Sequence, residues 1–386
     1  MTGWDEALTA ELPQAVELRR KLHRDPHVGG DEHPTAAVVA AAIGSPDAPA
    51  VAEGRIIRIG PATGPAIAVR AELDALPIQE RTSVPWASTN GAMHACGHDV
   101  HLAALTAFAR AAGKVELPYA LLAVLQPREE SFPLGAKDVV DSAELARHDV
   151  RAMIGAHVQP RVRFGEVAAT PGPVNASFDT VTITVTGRGG HAAYPQDARD
   201  PIVAAAAIVL ALQQIVSRRT DPLAPTVLTI GAINGGHAAN VIPETAVLRA
   251  SLRTFTQSER ERLLGLIESI ATSTAAAYGC TAAASDELGE PVLDNDPELT
   301  ELVWPELATA GLRLSDPLRS CGSDDFSFYC ERFPSLMMFV GTRTGGFDVQ
   351  PSLHSPTFLP VEETIGLVAK SMLAGYLGAC RLISRS

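Results

Sequence analysis

The chain has 386 residues, of which 46% are hydrophobic and 19% are charged, a balance that supports packed cores and excludes extensive disorder. Its 31 Lys and Arg against 44 Asp and Glu give a net charge of −13, which disfavours binding to nucleic acid or to an anionic membrane surface. The five cysteines are widely spaced and the N-terminus lacks the basic start and apolar core of a signal peptide, so we expect a soluble, cytoplasmic protein.

The first part of the chain alternates helices with short buried strands. Apolar residues at helical spacing predict a surface helix over residues 8–22. Apolar runs bounded by Gly and Pro predict strands over 66–70, 119–125 and 152–158, and the composition of 102–112 predicts a helix between the first two. This alternation is typical of a mostly parallel sheet covered by helices, in which ligands bind beyond the carboxyl ends of the strands.

The pattern changes near residue 173. We predict strands and helices in the order 180–186 (strand), 201–218 (helix), 226–230 (strand), 246–252 (strand) and 258–277 (helix). Strict alternation in the first of these strands indicates that one face is buried and one is wet. We therefore predict an α+β domain over 173–286 inserted in a catalytic domain that comprises 1–172 and 287–386.

The densest group of reactive side chains is the segment MHACGHDVH, residues 93–101. In an extended segment residues i and i+2 point to the same side, so Cys96 and His98 can face one ion, with His94 in line behind them. Thiolate and imidazole are good zinc ligands. The alternatives are a loop that happens to contain histidines, or half of a structural zinc knuckle, although the sequence contains no CxxC pair to complete one.

Further carboxylates follow the predicted strands. Glu129 and Glu130 come after strand 119–125, and adjacent carboxylates that point in different directions favour a division of labour between metal ligand and general base. Asp74 follows strand 66–70 and could orient a metal-bound histidine. The alternatives are a solvated acidic turn for the Glu pair and a turn cap for Asp74.

Two isolated histidines are weaker candidates. His157 ends the predicted strand 152–158, and His354 lies in the segment LHSPTFLP. A lone histidine is more often a satisfied core or surface residue than a ligand. Both gain weight only if the fold brings them to Cys96 and His98.

Eight segments in a fixed order resemble the amidohydrolase branch of the aminoacylase/carboxypeptidase metallohydrolases, which includes hippurate hydrolases and plant auxin-conjugate hydrolases. They are RAELDALPIQE, MHACGHDVH, QPREE, GAHVQP, GRGGHAAYPQDARDPI, NVIPETAVLRASLRTF, GSDDFSFY and LHSPTFLP, and they run from about residue 70 to residue 360. The resemblance implies an α/β fold: a zinc-peptidase-like catalytic domain with a mixed, mostly parallel sheet and helices on both faces. It also implies an inserted α+β lid domain that often forms a homodimer.

Carried over by motif, the resemblance implies a centre of two divalent metal ions, zinc or manganese above all, with cobalt or nickel as further options. The implied ligands are Cys96 as the bridging ligand, His98, Glu130, His157 and His354. Glu129 would be the general base and Asp74 would support the site from behind. His191 resembles a residue that reaches the active site from the partner subunit to stabilise the oxyanion, and Asn240 and Arg253 resemble residues that hold a substrate carboxylate.

The implied reaction is hydrolysis of the amide bond of N-acyl amino acids or similar small carboxylate-bearing amides. The alternatives are a dipeptidase-type metallopeptidase and a catalytically silent metal-binding or ligand-binding protein on the same fold. The chain departs from the family pattern in several places: residues 131–134 (SFPL) replace a glycine-rich stretch, Asp324 replaces the usual Glu, Glu72 replaces the first Asp of a DMD motif, and residues 26–32 read PHVGGDE where the family has a PELGFEE-like segment. A serine or cysteine hydrolase is disfavoured because the sequence contains no GxSxG and Cys96 serves better as a ligand.

Overall fold

The computed structural model describes residues 2–345 and 351–385. The chain divides into two compact units. The first comprises Met1–Gly172, Asp294–Leu318 and Asp325–Ser386, and the second comprises Pro173–Leu293 and Arg319–Asp324.

These boundaries differ from the predicted insertion over 173–286 at one end. The second unit continues to Leu293 because an unpredicted strand occupies Thr281–Leu288 and pairs within the sheet of that unit. The short stretch Arg319–Asp324 also belongs to the second unit, which no feature of the sequence indicated.

The helices and strands follow one another along both units. The helices are α1 (Thr2–Arg24), α2 (His33–Ile43), α3 (His98–Ala112), α4 (Gly135–Val140), α5 (Ala143–Ala146), α6 (Pro201–Leu212), α7 (Gln257–Ala277), α8 (Pro297–Thr309), α9 (Ser327–Cys330) and α10 (Thr364–Ile383). The strands are β1 (Ala50–Val51), β2 (Gly54–Ile59), β3 (Pro65–Glu72), β4 (Ala120–Gln126), β5 (Asp149–Arg163), β6 (Glu166–Ala168), β7 (Gly172–Asn175), β8 (Asp179–Thr186), β9 (Gly190–His191), β10 (Val227–Gly235), β11 (Val241–Ile242), β12 (Thr245–Arg253), β13 (Thr281–Leu288), β14 (Leu293–Asn295), β15 (Arg313–Leu314) and β16 (Ser335–Arg343).

The first unit is built on a mixed sheet with the strand order β1-β2-β4-β3-β5-β16-β6-β15. Its four central strands, β4, β3, β5 and β16, run parallel to one another, while β2 pairs antiparallel with β4 and β6 pairs antiparallel with β16. The predicted α/β class with a mixed, mostly parallel sheet is confirmed.

Alternate residues of the central strands face opposite sides of this sheet. Ile154 and Met338 meet α10 at Gly375, where an added Cβ would lie 2.5 Å from Ile154 Cγ2. Gly155 and Met337 point the other way, towards Phe326 just before α9. The core on the α10 side also contains buried residues of α1, α2, α3 and α8, so helices cover both faces as predicted.

The second unit contains an antiparallel sheet with the order β10-β12-β8-β13. Strand β8 alternates as predicted: Val181, Ile183 and Val185 are buried and pack with apolar residues of α6 and α7. Strand β13 escaped prediction because its sequence, TAAASDEL, is Ala-rich and acidic, and it forms an edge of the sheet with most of its residues exposed.

Within the described residues, two helical stretches are long and apolar enough to cross a membrane by length and composition alone, Pro201–Arg219 and Thr364–Ile383. The first of these stretches includes α6 and the π-helical turn Ile215–Arg219 that extends it. In α10 the apolar residues pack in the core of the first unit, so burial accounts for their composition.

Candidate metal site

The candidate site of the first unit lies at the carboxyl ends of three neighbouring parallel strands. Asp74 follows β3, and Glu129 and Glu130 follow β4. His157 lies near the end of the apolar part of β5, paired with Phe339 of β16. Because parallel strands end at the same edge of the sheet, residues far apart in sequence come together here.

Cys96 and His98 enter this edge through a turn, not through an extended segment. Gly97 adopts φ 85°, in the left-handed region, and α3 begins at His98, earlier than the predicted residue 102. The reasoning from i and i+2 in an extended chain was therefore wrong, although the turn does bring the two side chains together, and their binding of one ion stays a prediction. The ligand atoms of Cys96, His98 and Glu130 all lie within 4.8 Å of one another.

Asp74 holds two of the candidate ligands. Its backbone carbonyl accepts a hydrogen bond from His98 Nδ1 at 2.8 Å, and its carboxylate Oδ2 accepts one from the backbone N–H of Glu130 at 2.8 Å. Nδ1 of His98 thus always carries a proton, and Nε2 faces the site, where it makes no hydrogen bond to any described residue. The predicted supporting position of Asp74 agrees with this geometry.

His157 is oriented in the same way. Its Nδ1 donates to the carbonyl of Val158 at 2.7 Å, and its Nε2 lies 3.4 Å from Cys96 Sγ. The structure therefore brings His157 to Cys96, as the sequence required for it to count as a ligand.

His354 reaches the same cluster from the other end of the chain. Its Nε2 lies 3.1 Å from Glu130 Oε1, and its backbone N–H donates to the carbonyl of Ala95 at 2.9 Å. His354 has φ 64°, and Arg128, just before the Glu pair, has φ 47°. Left-handed backbone at a non-glycine residue costs energy and concentrates at functional sites, which supports a role for this edge.

Glu129 stands beside the cluster. Its Oε2 lies 3.8 Å from His98 Nε2, and its side chain is 11% exposed. A carboxylate at this distance is outside direct hydrogen bonding with His98 but borders the space that the ligand atoms face. This placement suits a base that acts on a water molecule in that space.

The electrostatics of the cluster favour a cation. Burial raises the pKa of the Cys96 thiol, and the charges of Glu130 and Glu129 raise it further. Burial alone would lower the pKa of His98, but its bond to Asp74 and the charges of Glu72 and Asp74 raise it to about 10. For His157 burial dominates, and nearby His101 adds to it, lowering the pKa to about 3. Protein carboxylates thus stabilise positive charge at this point.

These donors fit a transition-metal ion. They combine a thiol, imidazole nitrogens and a carboxylate, the ligand types of zinc sites, around a buried His98 Nε2 that has no partner among the described residues. Which of the five candidate side chains bind an ion stays a prediction.

The lid residues predicted from the sequence lie in the second unit. His191 and Asn240 are neighbours there, because β9 pairs with β11 and the carbonyl of Asn240 accepts a hydrogen bond from the N–H of Ala192 at 3.1 Å. The Nδ1 of His191 accepts from the N–H of Ala193 at 3.1 Å, and the ring is exposed. Their proposed parts in catalysis remain predictions.

Arg253 lies at the end of β12 in the same unit. Its Nη1 donates to the carbonyl of Cys321 at 2.9 Å, and its guanidinium stacks over the ring of Phe178, 4.7 Å from the ring centroid. These contacts fix the guanidinium plane, but its predicted binding of a substrate carboxylate stays a prediction.

Residues 68–376 match the family model of peptidase family M20/M25/M40. The chain belongs to this family. It is 36% identical over 378 residues to N-acetyl-L-cysteine deacetylase of Bacillus subtilis, covering 96% of this chain and 88% of the relative. It is 34% identical over 384 residues to an IAA-amino acid hydrolase of Arabidopsis thaliana, covering 94% of this chain and 85% of the relative. A crystal structure of a dinuclear metal binding peptidase from the M20 family of Bacillus subtilis superposes with a TM-score of 0.84 at 30% identity, covering 97% of this chain and 99% of that one.

One departure of this M20 chain from the family pattern forms a closed turn beside the Glu pair. Arg128 Nε donates to the carbonyl of Pro133 at 2.9 Å, and the N–H of Gly135 donates to the carbonyl of Arg128 at 3.0 Å. An added Cβ on Gly135 would lie 1.8 Å from the carbonyl oxygen of Pro127, so this close approach requires glycine. Phe132, at the tip, is 61% exposed.

Sequence reasoning missed a second buried group in this M20 chain. The ligand-type atoms of Glu72, His98, His101 and His157 also lie within 4.8 Å of one another. The spacing of His98 and His101, three residues apart in a helix, could have suggested that the two rings share a face. His94, also buried, has no hydrogen-bond partner among the described residues, and burial lowers its pKa to about 3.

Proposed function

We propose that this chain hydrolyses the amide bond of N-acyl amino acids or of similar small carboxylate-bearing amides. It is a metal-dependent hydrolase of the M20 family that acts on amides. The observation that carries the proposal is the convergence of Cys96, His98 and Glu130 within 4.8 Å beside Glu129, with His98 Nε2 aimed into the cluster.

We propose that the site binds two divalent ions, with zinc or manganese as the first candidates. A structural relative described as dinuclear supports the number, and the mixed sulfur, nitrogen and oxygen donors support these metals. The proposed ligands are Cys96, His98, Glu130, His157 and His354. When bound, such ions would polarise the amide carbonyl and lower the pKa of a water molecule to about 7.

The side chains would then divide the work of proton transfer. Glu129, which is not one of the proposed ligands, would take the proton from the attacking water. It would return this proton to the nitrogen of the departing amine, because an amide anion is a very poor leaving group. Asp74 would keep the Nε2 of His98 directed at the site through the bond of its carbonyl to Nδ1.

The residues of the second unit would act on the substrate. We propose that His191 stabilises the developing negative charge on the carbonyl oxygen. Arg253 would bind the free carboxylate of the amino acid part through charge-assisted hydrogen bonds, with Asn240 as a further donor. The two named relatives act on amino acids with different acyl groups, so the acyl preference of this chain is open to assay.

The test is a hydrolysis assay with N-acetyl and N-benzoyl amino acids, with and without a chelator, on the wild type and Glu129→Gln. We expect the variant to keep its metal content and to lose about 10²- to 10⁴-fold in kcat, the usual contribution of a general base. Glu144→Gln, on the surface salt bridge to Arg147, is the matched control and should retain full activity. Unchanged turnover in Glu129→Gln would contradict its role as base.

The same assay separates the alternatives. A dipeptidase would cleave unacylated dipeptides in preference to N-acyl amino acids. A silent binding protein would bind metal and cleave neither class of substrate.

We propose that the chain forms a homodimer through the second unit. Helix α6 is apolar on nearly every side: Ala204 and Ile208 are buried in the core, while Val203 and Leu210 are exposed, Leu210 at 76%. An exposed apolar helix face of this kind favours a protein partner. Leu210→Glu should therefore convert a dimer to a monomer in light scattering. Leu223→Glu, at a loop residue that is 90% exposed, is the control.

A further inference from the structure

A buried chain of hydrogen bonds lies behind the candidate ligands and has no part in the mechanism above. Glu72 Oε2 accepts from His101 Nδ1 at 2.8 Å, and His101 Nε2 accepts from the backbone N–H of Val158 at 2.9 Å. The carbonyl of the same Val158 accepts from His157 Nδ1 at 2.7 Å. The side chains of Glu72, His101 and His157 are all buried.

The partners fix the proton positions on both rings. His101 Nε2 faces a peptide N–H and must accept, so its proton lies on Nδ1, towards Glu72. His157 Nδ1 faces a carbonyl and must donate, so its Nε2 presents a lone pair towards Cys96 Sγ. Val158 therefore connects a ring that is not a proposed ligand with a ring that is.

His101 does not serve as a ligand in this arrangement, although it lies in the second cluster of ligand-type atoms. Both of its ring nitrogens are engaged, one by Glu72 and the other by Val158. The ring also lies against that of His157 in a T-shaped arrangement with centroids 4.6 Å apart, so it contacts the proposed ligand directly as well as through Val158.

Glu72 is itself anchored in the core. Arg70 forms a salt bridge with Glu72, donates to Gln126 Oε1 at 2.9 Å and pairs with Asp325 at 2.7 Å. Gln126 also donates to Asp325 at 2.8 Å. The carboxylate that orients His101 is thus held by a network that spans β3, β4 and the segment before α9.

We propose that Glu72 and His101 are positioning residues, which orient His157 as a metal ligand through the backbone of Val158. This inference rests on the proposed function, in which His157 binds an ion. Outer partners of ligating histidines typically change metal affinity by about 10- to 100-fold when they are removed.

The test uses two variants that each keep one of the two hydrogen bonds of His101, either the bond to Glu72 or the bond to Val158. In His101→Gln the side-chain oxygen can occupy the position of Nε2 and accept from the N–H of Val158, while the bond to Glu72 is lost. In His101→Asn the shorter amide can occupy the position of Nδ1 and donate to Glu72, while Val158 is left without its acceptor. The readouts are zinc affinity by competition with a chelator, the visible absorption spectrum of the cobalt-substituted protein, and the melting temperature.

We expect His101→Gln to bind zinc within a few-fold of the wild type and His101→Asn to lose about 10- to 100-fold, with an altered cobalt spectrum. Glu72→Ala, which releases the ring from the other side, should also lose affinity and serves if His101→Asn does not fold. Thr106→Val, in the same helix, removes a bond to the carbonyl of Leu102 and is the control for general destabilisation.

Equal affinities for His101→Gln and His101→Asn, or losses that merely follow the melting temperature as in Thr106→Val, would overturn the proposal. If the wild type cleaves amides but the two His101 variants bind zinc equally well, the positioning role of Glu72 and His101 is contradicted and the proposed function is not. If the variants show the expected order of zinc affinities but the wild type cleaves no amide, the proposed function is contradicted and the positioning role is not.

Discussion

Gly97 joins the two candidate ligands Cys96 and His98 and offers the sharpest test of the site's geometry. It adopts φ 85°, and an added Cβ would lie 2.5 Å from Val158 Cγ2, well inside van der Waals contact. Gly91, a few residues earlier, adopts nearly the same conformation, φ 89°, but an added Cβ there would meet no atom within 4 Å. Gly97→Ala therefore combines backbone strain with a steric clash, whereas Gly91→Ala introduces the strain alone.

The structure gives a magnitude for each term. Left-handed backbone costs an L-residue about 1–2 kcal/mol, and overpacking a well-packed interior typically costs about 1–3 kcal/mol. We expect Gly91→Ala to lower the free energy of unfolding by about 1–2 kcal/mol and Gly97→Ala by about 2–5 kcal/mol. Because the clash acts between the two candidate ligands, only Gly97→Ala should also weaken metal binding.

The assay is urea denaturation followed by tryptophan fluorescence. All three tryptophans, Trp4, Trp86 and Trp304, lie in the first unit, so the signal reports on the unit that contains the site. The double variant Gly97→Ala/Val158→Ala removes the clashing methyl group and should show a favourable coupling energy of about 1 kcal/mol or more. Equal destabilisation by Gly91→Ala and Gly97→Ala, with no coupling to Val158, would refute the reasoning.

Three further predictions concern cations and protons. Removal of bound ions should abolish hydrolysis and lower stability by about 4 kcal/mol relative to ions at a thousand times their Kd, and an unchanged melting temperature would contradict this. Because Cys96 and His98 have raised pKa values in the ion-free protein, ion binding at pH 8 should release protons, measurable by calorimetry in buffers of different ionisation enthalpy. Burial opposes the charge on His23, but Asp99 and Glu80 raise its pKa. The charged ring therefore stabilises the folded protein fully below about pH 6.5, and this contribution is lost as the pH rises through the pKa of the folded state. His23→Gln should make the free energy of unfolding fall less steeply with rising pH. A slope equal to that of the wild type would show that His23 does not cause this decline.

The central strands could be predicted because burial on both faces leaves a continuous apolar run, as in residues 66–70 and 152–158. Strand β13 could not, because an exposed edge strand needs no apolar pattern and its pairing with β8 is decided by the sheet alone. The predicted end of the insertion at residue 286 was displaced for the same reason, since the boundary follows that strand.

The candidate site could be predicted where reactive side chains lie at or near the ends of predicted strands. The fold brings to one edge of the sheet the Glu pair 129–130, which follows an apolar run, and His157, which lies within one. The left-handed backbone of Arg128 and His354 was not predictable, because neither position carries the glycine that would signal it. Nor could composition distinguish His98 from His101, because both are histidines of one short segment. They differ only in their partners: Nε2 of His101 accepts from Val158, whereas Nε2 of His98 has no hydrogen-bond partner in the part of the chain that the structure describes.

The two buried histidines beside Cys96, His98 and His157, are oriented by the same kind of hydrogen bond and yet differ in charge. In both, Nδ1 donates to a backbone carbonyl, of Asp74 for His98 and of Val158 for His157, so any change of protonation falls on Nε2. Burial keeps the Nε2 of His157 bare, since its pKa is about 3, whereas the surrounding carboxylates keep His98 protonated, with a pKa of about 10. An arriving cation therefore finds one imidazole ready to bind and displaces a proton from the other. Because a carbonyl can only accept, Nδ1 of each ring must keep its proton, and a further proton and a metal ion compete for Nε2. As the pH is lowered, the affinity for the ion must therefore fall first through protonation of His98 and Cys96, and only at lower pH through protonation of His157.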